Sequence, residues 1–298
     1  MDGVLLIDKP SGPTSHDVVA RLRRSSGERS IGHTGTLDPR ATGLLPLVLG
    51  RATRLASFLS GRDKTYEAVI RFGWSTDTDD AGGEPLGEPS EARPTGEAVA
   101  AALASCAGDI EQVPPRHSAK KLQGRRAYDL ARHQKPFDLA PVPVTVRALE
   151  LVGSDRDTAA IRVTASSGFY VRALARDLGH QLGCGGHLER LRRTRVDPYD
   201  VADALPLEDA ERLGPGVAAR LVSPAAAVAY LPSVELTDGG LKRVVHGNPV
   251  GPEHLAGRWV PPTTTRGPVR LLAADGRLVA LARSRGGALH PAVVLGYD

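Results

Sequence analysis

The first apolar run, Val4-Leu5-Leu6-Ile7 within residues 3–8, is unbroken and predicts a short buried strand. From Ser15 the spacing changes. Val18, Val19 and Leu22 fall on one helical face, and Arg21, Arg23 and Arg24 stay exposed. Leu44–Leu49 is a second apolar run, and Ala52–Leu59 reads as a short helix. Lys64–Phe72 alternates: Tyr66, Ala68, Ile70 and Phe72 share one face while Glu67 and Arg71 take the other, which predicts a half-buried strand. Thr95 caps a helix running to Ala107 with an Ala/Val/Leu face. Val144–Val152 and Ala159–Ala165 read as strands, and Val171–Leu182 as a helix. Leu188–Val196 alternates leucine and arginine, as in a strand with one face to the core and one outward.

Residues 206–230 are Ala/Leu-rich and read as helical, and Leu231-Pro232 as a domain boundary. Short apolar segments follow: Val244–Val250, Val269–Ala273, Leu278–Ala282 and Ala292–Leu295. With the Asp275-Gly276 turn they predict a small β-barrel. The expectation is an α+β chain in two parts, residues 1–230 and 231–298.

Composition narrows the partners. Hydrophobic content is 41% but aromatics are only 4%, so the core must be mostly Leu, Val and Ala. Net charge is +4 and pI about 9.2, which favours a polyanionic partner. Lys+Arg is 38, of which only six are Lys (9, 64, 120, 121, 135, 242), and arginine's planar fork suits phosphate. Residues 114–132 are the most basic stretch, adjoin Pro114-Pro115, and read as a phosphate-contacting loop or a solvated helix face. Cys106 and Cys184 stand alone, which suits a reducing compartment and gives no metal spacing. With no signal peptide and no spanning apolar run, a cytoplasmic protein is expected.

Asp77, Asp79, Gly82 and Glu88 match positions of a calcium-binding loop, but Ala81 and Pro85 intrude and a strand precedes them. No metal is expected. The sharper candidate is Gly32-His33-Thr34-Gly35-Thr36-Leu37-Asp38-Pro39. Gly32 and Gly35 allow close backbone approach, and Pro39 biases Asp38 toward an extended conformation on a stiff loop. Asp-Pro is equally ordinary turn chemistry.

The flanks weigh for a site. Gly3–Gly12, Gly32–Pro39 and Ala41–Gly50 together resemble the TruB family of pseudouridine synthases. The resemblance continues through Lys64-Thr65-Tyr66, Thr76–Gly82, Ser167–Arg172 and Leu191-Arg192-Arg193. It implies a catalytic domain with a mixed, largely antiparallel sheet flanked by helices, followed by a PUA-like RNA-binding barrel. It implies isomerisation of uridine 55 in the T-loop of tRNA, without metal or organic cofactor. By the same resemblance Asp38 is the catalytic aspartate, Arg172 its partner, and Tyr66 the tyrosine that stacks on the target base. Tyr170 and Leu191 line the pocket, His33 fills the space vacated by a flipped base, and Lys9 and Lys64 meet phosphates. One departure is His117 before Ser118, where the family has an aromatic residue. A monomer without an obligate protein partner is expected. The competing readings are a guide-RNA-dependent relative, disfavoured for want of a long basic extension, and an RNA-binding or RNA-folding factor. A glycosidase would need a second acid near Asp38.

Overall fold

The computed structural model describes residues 1–117, 121–122, 125–126, 139–257 and 267–296. Its first strand, β1 (Gly3–Lys9), is followed by α1 (Ser15–Ser26), β2 (Ile31–His33) and β3 (Thr42–Leu49). A 3-10 turn and α2 (Ala56–Ser60) lead to β4 (Lys64–Phe72), and β5 (Ser75–Thr76) and β6 (Pro85–Leu86) form a small hairpin. Next come α3 (Gly96–Ala104), β7 (Gly108–Gln112) and the short β8 (Lys121–Leu122) and β9 (Arg125–Arg126). Then follow β10 (Val142–Ser154), β11 (Thr158–Ala165), α4 (Val171–Gln181) and β12 (Gly186–Val196). The basic stretch 114–132 lies mostly outside the described residues.

After β12 come β13 (Tyr199–Asp200), β14 (Leu205–Pro206), α5 (Leu207–Leu213) and α6 (Pro224–Ala227). The tail holds β15 (Ser233–Glu235), α7 (Asp238–Val245), β16 (Val269–Leu272), β17 (Leu278–Arg285) and β18 (Ala288–Val294).

One mixed, largely antiparallel sheet organises the chain, in the order β14-β1-β3-β12-β4-β11-β10-β7, with β2 on β3 and β13 on β12. Among the described residues, the parallel pairs in this sheet are β1 with β14 and β3 with β12. The period of two along β1 explains its double burial. Leu5 and Ile7 pack with Leu45, Leu47 and the Val18, Val19 and Leu22 face of α1. Val4 and Leu6 face the other way, into a cluster with Leu44, Val48, Leu55 and Leu59. Tyr66, Ala68, Ile70 and Phe72 of β4 pack under α4 and α3, as their alternation requires. Thr14 caps α1 in a reciprocal capping box with Asp17, and Thr95 caps α3.

Three expectations are corrected. Residues 206–230 are not one helical stretch: Gly214, Pro215 and Gly216 convert its middle to 3-10 turns, and Pro224 starts a separate turn. Val244–Val250 is not a strand, because Thr237 caps α7 and carries helix to Val245. β12 does not expose all its arginines. Bulges after Leu188 and Arg193 break the alternation, and Arg193 is turned fully inside. The described part of the tail is a four-stranded sheet, β15-β16-β17-β18, packed with α7. Its Leu278, Leu281 and Leu295 share a core with Val4, Leu6 and Leu44 of the main sheet.

Candidate active site

Asp38 sits on the crossing from β2 to β3, and its backbone is held from several sides. The Ser15 hydroxyl accepts from Leu37 N at 2.9 Å and donates to Leu37 O at 3.1 Å. Pro39 O accepts from Gly12 N at 2.9 Å and from Lys9 Nζ at 3.1 Å. Arg193 donates to Gly35 O at 3.1 Å, Thr36 O at 3.4 Å and Leu44 O at 2.7 Å. A carboxylate on such a loop cannot swing freely, which suits a group that must act at one position. The glycine this arrangement needs is neither Gly32 nor Gly35, whose φ values are ordinary. It is Gly43, at φ 102°, where an added Cβ would stand 2.2 Å from Arg193 O on the neighbouring strand.

Arg172 meets Asp38 from α4. Its Nε lies 3.0 Å from Asp38 Oδ2 and its Nη2 3.4 Å from Oδ1. Its remaining capacity goes to Thr78 O at 3.0 Å and His117 O at 2.8 Å, with Asp80 at 3.7 Å. The Arg172 side chain is 7% exposed and that of Asp38 39%, so the cation is inside and the carboxylate opens to the cavity. That cavity has a volume of about 420 Å³, within the range of small-molecule sites. His33, Asp38, Lys64, Tyr66, Tyr170, Arg172 and Leu191 all line it.

Lys9 is the exception and does not reach the cavity. It is completely buried, and its ammonium donates to the carbonyls of Pro10 (2.8 Å), Pro13 (2.9 Å) and Pro39. Lys64 lines the cavity, but its ammonium is tied to Ser60 O at 3.0 Å and Arg62 O at 2.7 Å. The reading of Lys9 as a phosphate-contacting lysine is corrected: it braces backbone, and Lys64 braces backbone from the cavity lining. Burial pushes both ammoniums down, to about 8, so both are still protonated at neutral pH, as their carbonyl partners require.

Arg193 went unassigned in the sequence, where it reads as one more arginine of an alternating strand. It lies beneath the Asp38 loop and also reaches the Tyr66 side chain. Burial lowers its pKa from the ordinary arginine value, opposed by Tyr66 and Asp38. The other silent residue is Asp80, inside the stretch read against calcium binding. That stretch is a tight turn whose carboxylates serve other groups. Asp77 accepts from Glu84 N, Asp80 from Gly82 N, and Asp79 pairs with Arg176 at 3.0 Å. Among the described residues, no three His, Cys, Asp or Glu side chains are grouped to hold a metal ion.

Burial pushes the Asp38 carboxyl above its ordinary value. Arg172 pulls it back, Asp80 pushes it further, and Lys9 and Arg193 pull it down, with a net upward direction. If catalysis needs the ionised form, the acidic limb of the pH–rate profile should lie above the ordinary aspartate value of about 3.9. Asp80→Asn removes an upward push and should move that limb down. A limb that moves up would show that Asp80 acts on Asp38 by some other route.

The chain matches the family described as TruB family pseudouridylate synthase, N-terminal domain, over residues 23–171. Residues 172–214 match the tRNA pseudouridylate synthase B C-terminal domain, and residues 253–296 the tRNA pseudouridine synthase II C-terminal domain. The chain is 46% identical to the tRNA pseudouridine synthase B of Thermobifida fusca, with 98% of each chain covered. It is 42% identical to that of Mycobacterium ulcerans, covering 98% of this chain and 94% of that one. Among solved structures, a Cbf5-Nop10-Gar1 complex aligns with TM-score 0.74 at 26% identity, covering 98% of this chain and 84% of that one. An H/ACA RNP bound to a substrate RNA containing 2′-deoxyuridine has the same fold, with TM-score 0.73 at 24% identity, covering 99% of this chain and 85% of that one. With its blocks in order along nearly the whole length, the chain belongs to the TruB family of pseudouridylate synthases.

Proposed function

We propose that this protein isomerises uridine 55 in the T-loop of tRNA to pseudouridine. The observation that carries the reading is the Arg172–Asp38 pair in the lining of a cavity that Tyr66 also lines. The reaction breaks the bond from the ribose C1′ to N1 of uracil and forms one to C5. The C5 proton is lost and N1 gains one, so nothing is oxidised or hydrolysed. Asp38 is the nucleophile or base, Arg172 keeps it ionised in a site that would otherwise protonate it, and Tyr66 stacks on the base. The target base is flipped out of its stack, at about a few kcal/mol. His33 lines the cavity, in edge contact with His16, as a group to fill the vacated space. Tyr170 and Leu191 hold the detached uracil, and the chemistry calls for no organic cofactor. In the same proposal residues 231–298 form the RNA-binding part, and the protein works in the cytoplasm as a monomer without an obligate protein partner. Among the described residues no helix is long and apolar enough to cross a membrane.

The guide-RNA-dependent alternative is the weaker reading, because relatives over 40% identical along nearly the whole chain are named tRNA pseudouridine synthase B. Incubation with an unmodified tRNA transcript, followed by mapping of pseudouridine, tests the proposal. Absence of product at position 55 would sink it. RNA affinity should fall steeply with salt, with a log–log slope set by the phosphates met. Among the described residues, Arg190 of β12 is exposed with no ion pair, whereas Arg192 pairs with Asp8, Arg195 with Asp197, and Arg193 is internal. Most of the salt slope should therefore come from other basic residues. Arg190→Ala should lower it by about one at most, and a larger drop would reinstate β12 as the main contact.

A further inference from the structure

We infer that Gln112 is a positioning residue for the isomerisation, bracing the start of α4 so that Arg172 stays engaged with Asp38. The inference rests on the reading of Asp38 as the catalytic carboxylate.

Gln112 is the last residue of β7 and is 2% exposed. Its side-chain amide spans both backbone groups of Tyr170. Nε2 donates to Tyr170 O at 3.1 Å, and Oε1 accepts from Tyr170 N at 2.8 Å. The orientation of the amide is fixed by its partners, because a backbone N–H can only donate and a carbonyl only accept. The side chain thus acts as one more rung beyond the end of the sheet edge.

Tyr170 is the N-cap residue of α4, in extended conformation and without a side-chain capping bond of its own. Its backbone sets where the helix begins, two residues before Arg172. The segment after Gln112 then touches the first two turns of α4 twice more. Val113 O accepts from Arg176 at 2.9 Å and His117 O from Arg172 at 2.8 Å. Gln112 is the one of these three whose side chain is spent on α4 alone. A leucine would fill similar space without the cost of burying an amide, so the polar ends need a use. Both are used on Tyr170.

Among the described residues, the charged groups that face Asp38 are Arg172 from α4, Asp80 from the turn after β5, Lys9 at the end of β1, and Arg193 from β12. Substituting Gln112 removes none of them. What it changes is how firmly Arg172 is placed.

The test compares Gln112→Leu and Gln112→Glu with the unaltered full chain and with Asp38→Asn, on an unmodified tRNA transcript. Single-turnover rate against pH, tRNA affinity and thermal unfolding are measured for each. For Gln112→Leu the rate should fall by about ten- to a hundredfold, the scale of a small misplacement at a reacting centre. Its tRNA affinity should stay close to that of the unaltered chain, and its acidic limb should move up as Arg172 loosens. Gln112→Glu keeps the acceptor for Tyr170 N–H and loses the donor to Tyr170 O. Its rate relative to the unaltered chain should recover on acidification, when the carboxyl regains a proton to donate. If the leucine variant does not fold, that recovery decides alone. Normal rates in folded variants, a loss confined to affinity, or a slower rate with an unmoved limb and no recovery would each overturn the inference. An active Asp38→Asn would remove the reading beneath it and is recognised separately.

Discussion

Asp38→Asn should lower the isomerisation rate by about 10³-fold or more, the order seen when one member of a catalytic unit is removed. Asparagine has nearly the same shape but offers no anion to act as nucleophile or base. RNA affinity should largely survive, because protein–RNA affinity generally rests on many phosphate contacts and this substitution removes no cation. Stability decides whether the result is clean. Arg172 is buried, so losing its partner could strand a charge. It keeps Asp80 at 3.7 Å and the carbonyls of Thr78 and His117, so it is not stranded. The carboxyl of Asp38 is itself pushed up by the fold. A group raised in this way favours folding while it is protonated and disfavours it once pH passes its folded value. Asp38→Asn carries no titrating carboxyl and escapes that loss, so it should unfold at an equal or higher temperature at pH above the ordinary aspartate range. Turnover, tRNA affinity and thermal unfolding on one sample test all three statements. Near-normal pseudouridine formation would place the catalytic carboxylate elsewhere.

A chain ending at Tyr230 should lose cooperative unfolding and precipitate or bind hydrophobic dyes. The period of short apolar segments after Pro232 reads as a separate module that could be cut away. The core it shares with the main sheet argues otherwise. Leu278, Leu281 and Leu295 are 6%, 0% and 4% exposed, and they belong to the same buried cluster as Val4, Leu6 and Leu44 of β1 and β3. Uncovering a buried leucine costs about 1.5–3 kcal/mol, and several on each side would consume most of a typical stability of about 5–15 kcal/mol. Arg270 from the tail also donates across the boundary to Ala225 O at 3.2 Å. The milder Leu281→Ala should destabilise the full chain by about 2–5 kcal/mol. A truncated chain that unfolds cooperatively near the temperature of the full chain would show instead that residues 1–230 close their own core.

The difference between these two cases lies in what a linear pattern can carry. Gly32–Pro39, the β4 alternation and the cap at Thr95 are local: backbone bias, period and capping act within a few residues, so the Asp38 loop, the Tyr66 face and the start of α3 were legible in the sequence alone. The same holds for the ordered family blocks, which lead to Asp38, Tyr66 and Arg172 without any coordinates. A period of two says which face of a strand is covered but not by what, so Val4 and Leu6 gave no hint that the tail shares their core. A lysine or arginine in sequence reads as surface, because an unpaired buried charge is costly. Only folding adds Pro39 to the local Pro10 and Pro13 carbonyls around Lys9, and brings Gly35, Thr36 and Leu44 around Arg193, so that many backbone acceptors offset those burials. Asp80 and Gln112 are silent for the same reason. Their partners, Arg172 and Tyr170, lie far along the chain, and only the tertiary structure decides that they meet.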